Sequence, residues 1–227
     1  MQAPQAGQGA GDSAAASTVA EEAAETPGAN GAAPGRKRPK PGERRVQILQ
    51  TLASMLEEPG AERITTAALA AKLSVSEAAL YRHFASKAQM FEGLIEFIES
   101  SIFSLVNQIT ERETEPAQQA RRIVAMLLQF GEKNPGMARV MVGDALVFEN
   151  ERLSQRMNQF FDKLESQLRQ CLRAAAEGSG SQSPTVDGNA RASALTALAI
   201  GRLQRYTRSG FKRSPTEQVE IALDLLT

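Results

Sequence analysis

Three observations predict an all-α chain with a helix-turn-helix near its front. From Glu43 onward apolar residues recur at helical spacing, and no strand-like alternation competes. The stretch from Arg63 to Met90, RITTAALAAKLSVSEAALYRHFASKAQM, reads as two short helices joined by a tight turn and followed at once by a third. Basic residues gather on and just before that stretch. Residues 36–91 carry ten Lys or Arg against five acids, while 1–35 carry four acids and no base, and 92–227 carry sixteen bases and seventeen acids. The formal net charge of zero therefore hides a positive excess where phosphate would have to be neutralised.

Residues 1–42 form a first segment, rich in Ala, Gly, Gln and Pro, with Met1 and Val19 as its large apolar residues. Such a segment buries too little surface to offset its ordering entropy and is expected to be disordered. Arg36-Lys37-Arg38-Pro39-Lys40 closes it, either as a solvated basic run or as an arm reaching DNA. Residues 43–91 form the second segment. Val46, Leu49, Leu52, Ala53 and Leu56 mark a helix ended near Pro59-Gly60. Thr65 and Thr66 cap the next helix, whose apolar face is Ala68, Leu69 and Leu73. Leu73-Ser74-Val75-Ser76 is the turn, with Ser76 as the N-cap of the following helix. There Leu80 and Phe84 face inward at i and i+4, leaving Ala78, Tyr81 and Arg82 outward. Small residues at the start of a helix let its backbone approach base edges, and the larger Tyr81, Arg82 and His83 reach phosphates.

The third segment, 92–227, is a helical body. Ser86 and Gln89 form a capping box that opens a long helix through Ile109, with Met90, Leu94, Ile98, Ile102 and Ile109 in register. Pro116 starts another helix, ended by Asn134-Pro135-Gly136. A short helix near Met137–Leu146 and a long one from about Asn150 to Ala176 follow. Gly178 to Gly188 reads as a flexible loop, and helices of about 189–209 and 215–226 finish the chain. The last long helices suit dimerisation. Phe160, Phe161, Leu164, Leu168 and Leu172 on one, and Leu195, Leu198, Leu203 and Tyr206 on the other, are candidates for that interface or for the core of one protomer.

No apolar run approaches 18 residues, and the N-terminus lacks the basic-then-apolar pattern of a secretory signal. The lone Cys171 excludes an intrachain disulfide framework and fits a reducing cytoplasm. It reads as a small buried hydrophobe rather than a reactive thiol. The lone His83 has no Cys, His or carboxylate cluster at metal-ligand spacing, so neither a metal site nor a cofactor is expected. No phosphate-cradling G-x-x-x-x-G-K-[ST] occurs, and an enzyme is not expected.

TTAALAAKLSVSEAALYRHFASKAQMF, with its L-Y-x-H-F and S-K motifs, resembles the DNA-binding signature of the TetR family. Further on, LYRHFASKAQMFEGLIEFIESSI and FGEKNPGMARVMVGDALVFENERLSQRMNQFFDKLESQLRQCLR are similar to the nucleoid occlusion branch of that family. The resemblance spans roughly residues 43–227. It implies a TetR-like fold, an N-terminal three-helix DNA-binding domain on a C-terminal helical dimerisation domain. It also implies a homodimer on palindromic double-stranded DNA, located in the cytoplasm at the nucleoid. Thr65, Thr66, Ser76, Ala78, Ala79, Tyr81, Arg82, His83 and Lys87 are the implied DNA-facing residues. His83 has a capping or packing role as its alternative, Tyr81 a role covering the helix junction, and Lys87 plain solvation. TetR-like turns usually place Gly where this chain has Ser74, a position expected to take positive φ.

In that branch the body engages the division protein FtsZ in a groove between the long helix and the next. Phe97, Lys133 and Asn134 match it here, with Lys133 standing where the branch more often has Arg and Phe97 open to a core-packing role instead. A ligand-responsive TetR-type repressor with a pocket among the middle helices is the alternative. A helical adaptor with no DNA role is a third reading, against which the segregated charge and the complete helix-turn-helix argue.

Overall fold

A computed structural model describes residues 42–58 and 63–227. The tail, its basic end at 36–40 and the Pro59-Gly60 stop lie outside the described residues. The chain is all-α, in the order α1 (Glu43–Glu57), α2 (Thr66–Lys72), α3 (Glu77–Tyr81), α4 (Lys87–Arg112), α5 (Pro116–Lys133), α6 (Pro135–Met141), a 3-10 turn (Asp144–Leu146), α7 (Glu151–Gly178), α8 (Pro184–Arg208) and α9 (Val219–Asp224).

α1 to α3 and the start of α4 pack together and are called the head below, with the remaining helices as the body. In α1 the inward seam is Ile48, Leu52 and Leu56, at i, i+4 and i+8. Val46, expected on that seam, is 54% exposed, because two residues along a helix turn a side chain through about 200° relative to Ile48. In α2 the buried pair is Leu69 and Ala70, while Ala68 lies at the surface. The Thr65 hydroxyl accepts from the Ala68 amide at 3.1 Å, capping α2 as its sequence position requires. Ser76 has the extended backbone of an N-cap, but its hydroxyl caps nothing.

Ser74 takes φ 54°, the left-handed conformation anticipated where related turns use Gly. For a residue with a Cβ this costs on the order of 1 kcal/mol. Ser74→Gly should therefore raise stability by about that amount, read as a higher urea midpoint at unchanged slope. A lowered midpoint would mean that the serine hydroxyl outweighs the backbone strain.

α4 carries the head into the body without a break through residues 91 and 92, running on to Arg112 rather than stopping at Ile109. Ser86 Oγ accepts from the Gln89 amide at 3.2 Å, and Gln89 Oε1 accepts from the Ala85 amide at 2.9 Å. Both halves of the capping box are thus present, with the return bond one residue earlier than usual. Met90, Leu94, Ile98 and Ile102 are buried along the expected face.

The body differs from expectation at several boundaries. The span 137–146 divides into α6, which starts at Pro135, and the 3-10 turn, with Gly143 between them at φ 84°. The expected loop from Gly178 to Gly188 shrinks to residues 179–183, and Gly188 is buried inside α8. A Cβ on Gly188 would lie 2.8 Å from the Arg173 amide nitrogen, so this glycine serves a close α7–α8 approach rather than loop freedom. The expected 215–226 helix shortens to α9. Its first turns are diverted because Thr216 Oγ1 donates to Glu132 at 2.7 Å, Ser214 also bonds Glu132, and Gln218 is left-handed at φ 51°.

The interface candidates on α7 and α8 resolve into one protomer's core, except Leu198, which is half-buried against it. Phe160, Leu164, Leu168 and Leu172 are fully buried, Phe161 and Tyr206 nearly so, and Leu195 and Leu203 join them. Phe160 sits edge-on to Phe103 and Phe161 at 5.6 and 5.0 Å between centroids. The outward face of α8 carries Val186, Ala190, Ala194 and Ala197, followed by the half-buried Gly201. Cys171 is buried and donates weakly to Gln119 Oε1 at 3.4 Å, and burial pushes its thiol pKa up, as for an inert core thiol.

Candidate nucleic-acid interface

α3 is held from both sides. Leu80 and Phe84, each 1% exposed, anchor its inner face. Thr66 Oγ1 donates to Glu77 Oε2 at 2.6 Å, tying the start of α2 to the start of α3. Arg45 in α1 lies over the Phe84 ring at 4.2 Å and donates through Nη1 to the His83 carbonyl at 3.0 Å, fixing the end of the same element. Glu77 and Arg45 are not evident from local periodicity, since their partners lie 11 and 38 residues away.

The outer face of α3 carries the first candidates, and the helix stops at Tyr81, so Arg82 and His83 fall in the turn after it rather than at its end as the spacing predicts. Ala78, Tyr81, Arg82 and His83 are exposed, and Ala79 is half-buried. Arg82 forms no ion pair with any described residue. Thr65 and Ser76 lie at the surface on the same unit, while the Thr66 hydroxyl is engaged by Glu77. Lys87 departs from this pattern. Its ammonium pairs with Glu149 in the loop before α7 and lies 5.7 Å from the Phe91 centroid. The Glu149 side chain is only 10% exposed. Arg152 with Glu92, and Arg156 with Glu99 at 2.6 Å, continue the ion pairs between α7 and α4. The first lysine of α4 is therefore also tied to the loop before α7.

Phe97, Lys133 and Asn134 fall on the two arms of a helical hairpin. α4 and α5 are joined by residues 113–115, so they run antiparallel. At 1.5 Å per residue, Phe97 lies about 22 Å and Lys133 about 26 Å from the hairpin bend, at the same end. Phe97 is 48% exposed, with Leu105 on the same face two turns on. Lys133 is exposed, and Asn134 Nδ2 donates to the Phe130 carbonyl at 2.8 Å, closing α5.

A short recognition helix set on a long connecting helix, with an all-helical body behind it, defines a DNA-binding regulator of the tetracycline-repressor class. The family described as bacterial regulatory proteins of the tetR family matches residues 48–94, and an SlmA-like tetracyclin repressor-like C-terminal domain matches residues 116–227. The chain is 51% identical over 182 residues to the nucleoid occlusion factor SlmA of Vibrio vulnificus, covering 80% of this chain and 92% of that one. It is 50% identical over 185 residues to SlmA of Photobacterium profundum, covering 81% and 94%. Solved structures agree in fold. A TetR-family regulator from Agrobacterium tumefaciens superposes with a TM-score of 0.67 at 15% identity, over 83% of this chain and all of that one. FadR of Bacillus subtilis, solved with stearoyl-CoA, superposes at 0.64 and 14% identity, over 80% and 96%. The chain belongs to the TetR family, in its SlmA branch of nucleoid occlusion factors.

Proposed function

We propose that this chain binds palindromic chromosomal DNA as a homodimer and, from the nucleoid, blocks assembly of the FtsZ ring over the chromosome. The carrying observation is identity of about half to nucleoid occlusion factors over most of head and body together. In this reading residues 43–91 are the DNA-binding head and 92–227 the body that dimerises and meets the partner. Tyr81, Arg82 and His83 contact phosphate, and Ala78 and Ala79 let the α3 backbone approach base edges. The two-fold contact uses the small-residue part of the outward α8 face, from Val186 to Gly201, where backbones can approach closely, and ends before Arg205. Exposed Phe97 supplies an apolar anchor and Lys133 a cation for an acidic FtsZ segment.

Two variants separate the two activities. Tyr81→Ala should weaken DNA binding, measured by fluorescence anisotropy, and leave co-sedimentation with FtsZ polymer intact. Lys133→Glu should do the reverse, because charge reversal adds repulsion to the lost attraction. Normal FtsZ binding by Lys133→Glu would remove this residue from the surface. No FtsZ binding by the unmodified protein would defeat the division role. Chromatin immunoprecipitation tests the repressor alternative: occlusion expects many sites around the chromosome, depleted near the terminus, and a repressor expects a few promoter peaks.

A further inference from the structure

The end of α8 and the turn after it hold a charge cluster that the recognition helix does not explain. Residues 188–216 contain six Arg or Lys and no Asp or Glu, inside a body whose acids slightly outnumber its bases. The last five of these cations, Arg202, Arg205, Arg208, Lys212 and Arg213, fall within twelve residues. Arg202 is occupied, donating to the Pro215 and Glu217 carbonyls at 3.2 and 2.7 Å. Arg205, Arg208, Lys212 and Arg213 are exposed and form no ion pair with any described residue. Arg202, Arg205 and Arg213 line an open cavity of about 280 Å³ with Ser214 and Gln218. Four carboxylates lie close: Glu217 lines the same cavity, Glu132 accepts from Thr216, Asp144 accepts from Thr207, and Glu57 acts on Tyr206 between Arg205 and Arg208. Five cations stand against these four.

The cluster lies on the head side of the body. α7 and α8 are antiparallel across residues 179–183, so the end of α8 lies beside the start of α7, where Arg152 and Arg156 hold α4. Thr207 Oγ1 donates to Asp144 at 2.9 Å, and five residues on from Asp144, Glu149 pairs with Lys87. Five residues span at most about 17 Å, so the cluster is a short reach from the residue that follows the recognition element. Phe211 lies 4.9 Å from the Arg139 guanidinium, which itself donates to the Glu58 carbonyl at the end of α1.

We infer that Arg205, Arg208, Lys212 and Arg213 form a second, sequence-independent binding surface for the DNA phosphate backbone, set on the body and separate from α3. Desolvating that many unpaired cations against a protein partner is unfavourable, whereas a polyanion with condensed counterions rewards each contact by counterion release. The surface rests on the DNA-binding reading. It adds affinity and salt dependence without adding base preference.

The test uses full-length protein and two double variants on different elements, Arg205→Gln/Arg208→Gln and Lys212→Gln/Arg213→Gln. Anisotropy is recorded across salt on a duplex carrying the selected palindrome and on a random-sequence duplex. Each double variant should flatten the plot of log affinity against log salt by about 1.8, two phosphates' worth, on both duplexes, leaving their affinity ratio unchanged. Slopes equal to the unmodified protein's would overturn the surface. So would a loss confined to the palindrome, or sedimentation of both variants as monomers, which would assign the cluster to dimer assembly. Failure of the unmodified protein to bind either duplex would instead strike the DNA-binding reading, which Tyr81→Ala probes independently.

Discussion

Gly136→Ala should lower the melting temperature by about 6–12 °C and weaken DNA binding, although the residue lies in the body. A Cβ at Gly136 would sit 2.0 Å from the Ala53 carbonyl oxygen, 2.9 Å from its carbon and 3.2 Å from Leu56 Cβ. The first two are backbone atoms inside α1, so no rotamer change relieves the clash and the two helices must separate. Overpacking of this kind costs about 1–3 kcal/mol or more, and a backbone clash belongs at the upper end. For a chain of this size about 3 kcal/mol corresponds to that temperature range. The DNA effect follows because α1 belongs to the head and α6 to the body, so forcing them apart reorients α3. Gly178→Ala is the control: nothing lies within 4 Å of its added Cβ. Circular dichroism melts and anisotropy on one duplex check both parts. An unchanged melt for Gly136→Ala would show that α1 and α6 are not tightly apposed in solution.

Lys87→Ala should cost about 2–3 kcal/mol of stability in addition to any loss of DNA affinity. Removing the ammonium leaves the Glu149 carboxylate, 10% exposed, without its ion-pair partner. Breaking a fully buried pair from one side costs about 3–5 kcal/mol, and the 26% exposure of Lys87 places this pair below that. Glu149→Gln is the informative comparison. It frees Lys87 for phosphate, so DNA affinity should rise and salt dependence steepen by up to about one contact. A melt unchanged in Lys87→Ala would show that water already solvates Glu149. A salt slope unchanged in both variants would remove Lys87 from the DNA surface.

The recognition unit was legible in the sequence because its information is local. Thr65 caps α2 three residues before Ala68, Ser86 caps α4 three residues before Gln89, and Leu80 and Phe84 share a face by spacing alone. The left-handed backbone at Ser74 was anticipated from the resemblance instead, since related turns place Gly at that position. Less could be read where helices meet. Leu168 and Leu203 have the same apolar character whether they face a second protomer or their own core, and only the packing of α7 on α8 placed both in the core.

By itself the sequence determined the all-α class, the helix-turn-helix and its outward residues, because hydrogen bonds and side-chain faces within one helix depend on residues a few positions apart. Only the tertiary structure decided that Gly188 belongs to a helix contact, that Lys87 meets Glu149, and that the cations at the end of α8 stand on the head side of the body. Those outcomes depend on charges and close approaches between residues far apart in the chain, and nothing in local periodicity carries that distance.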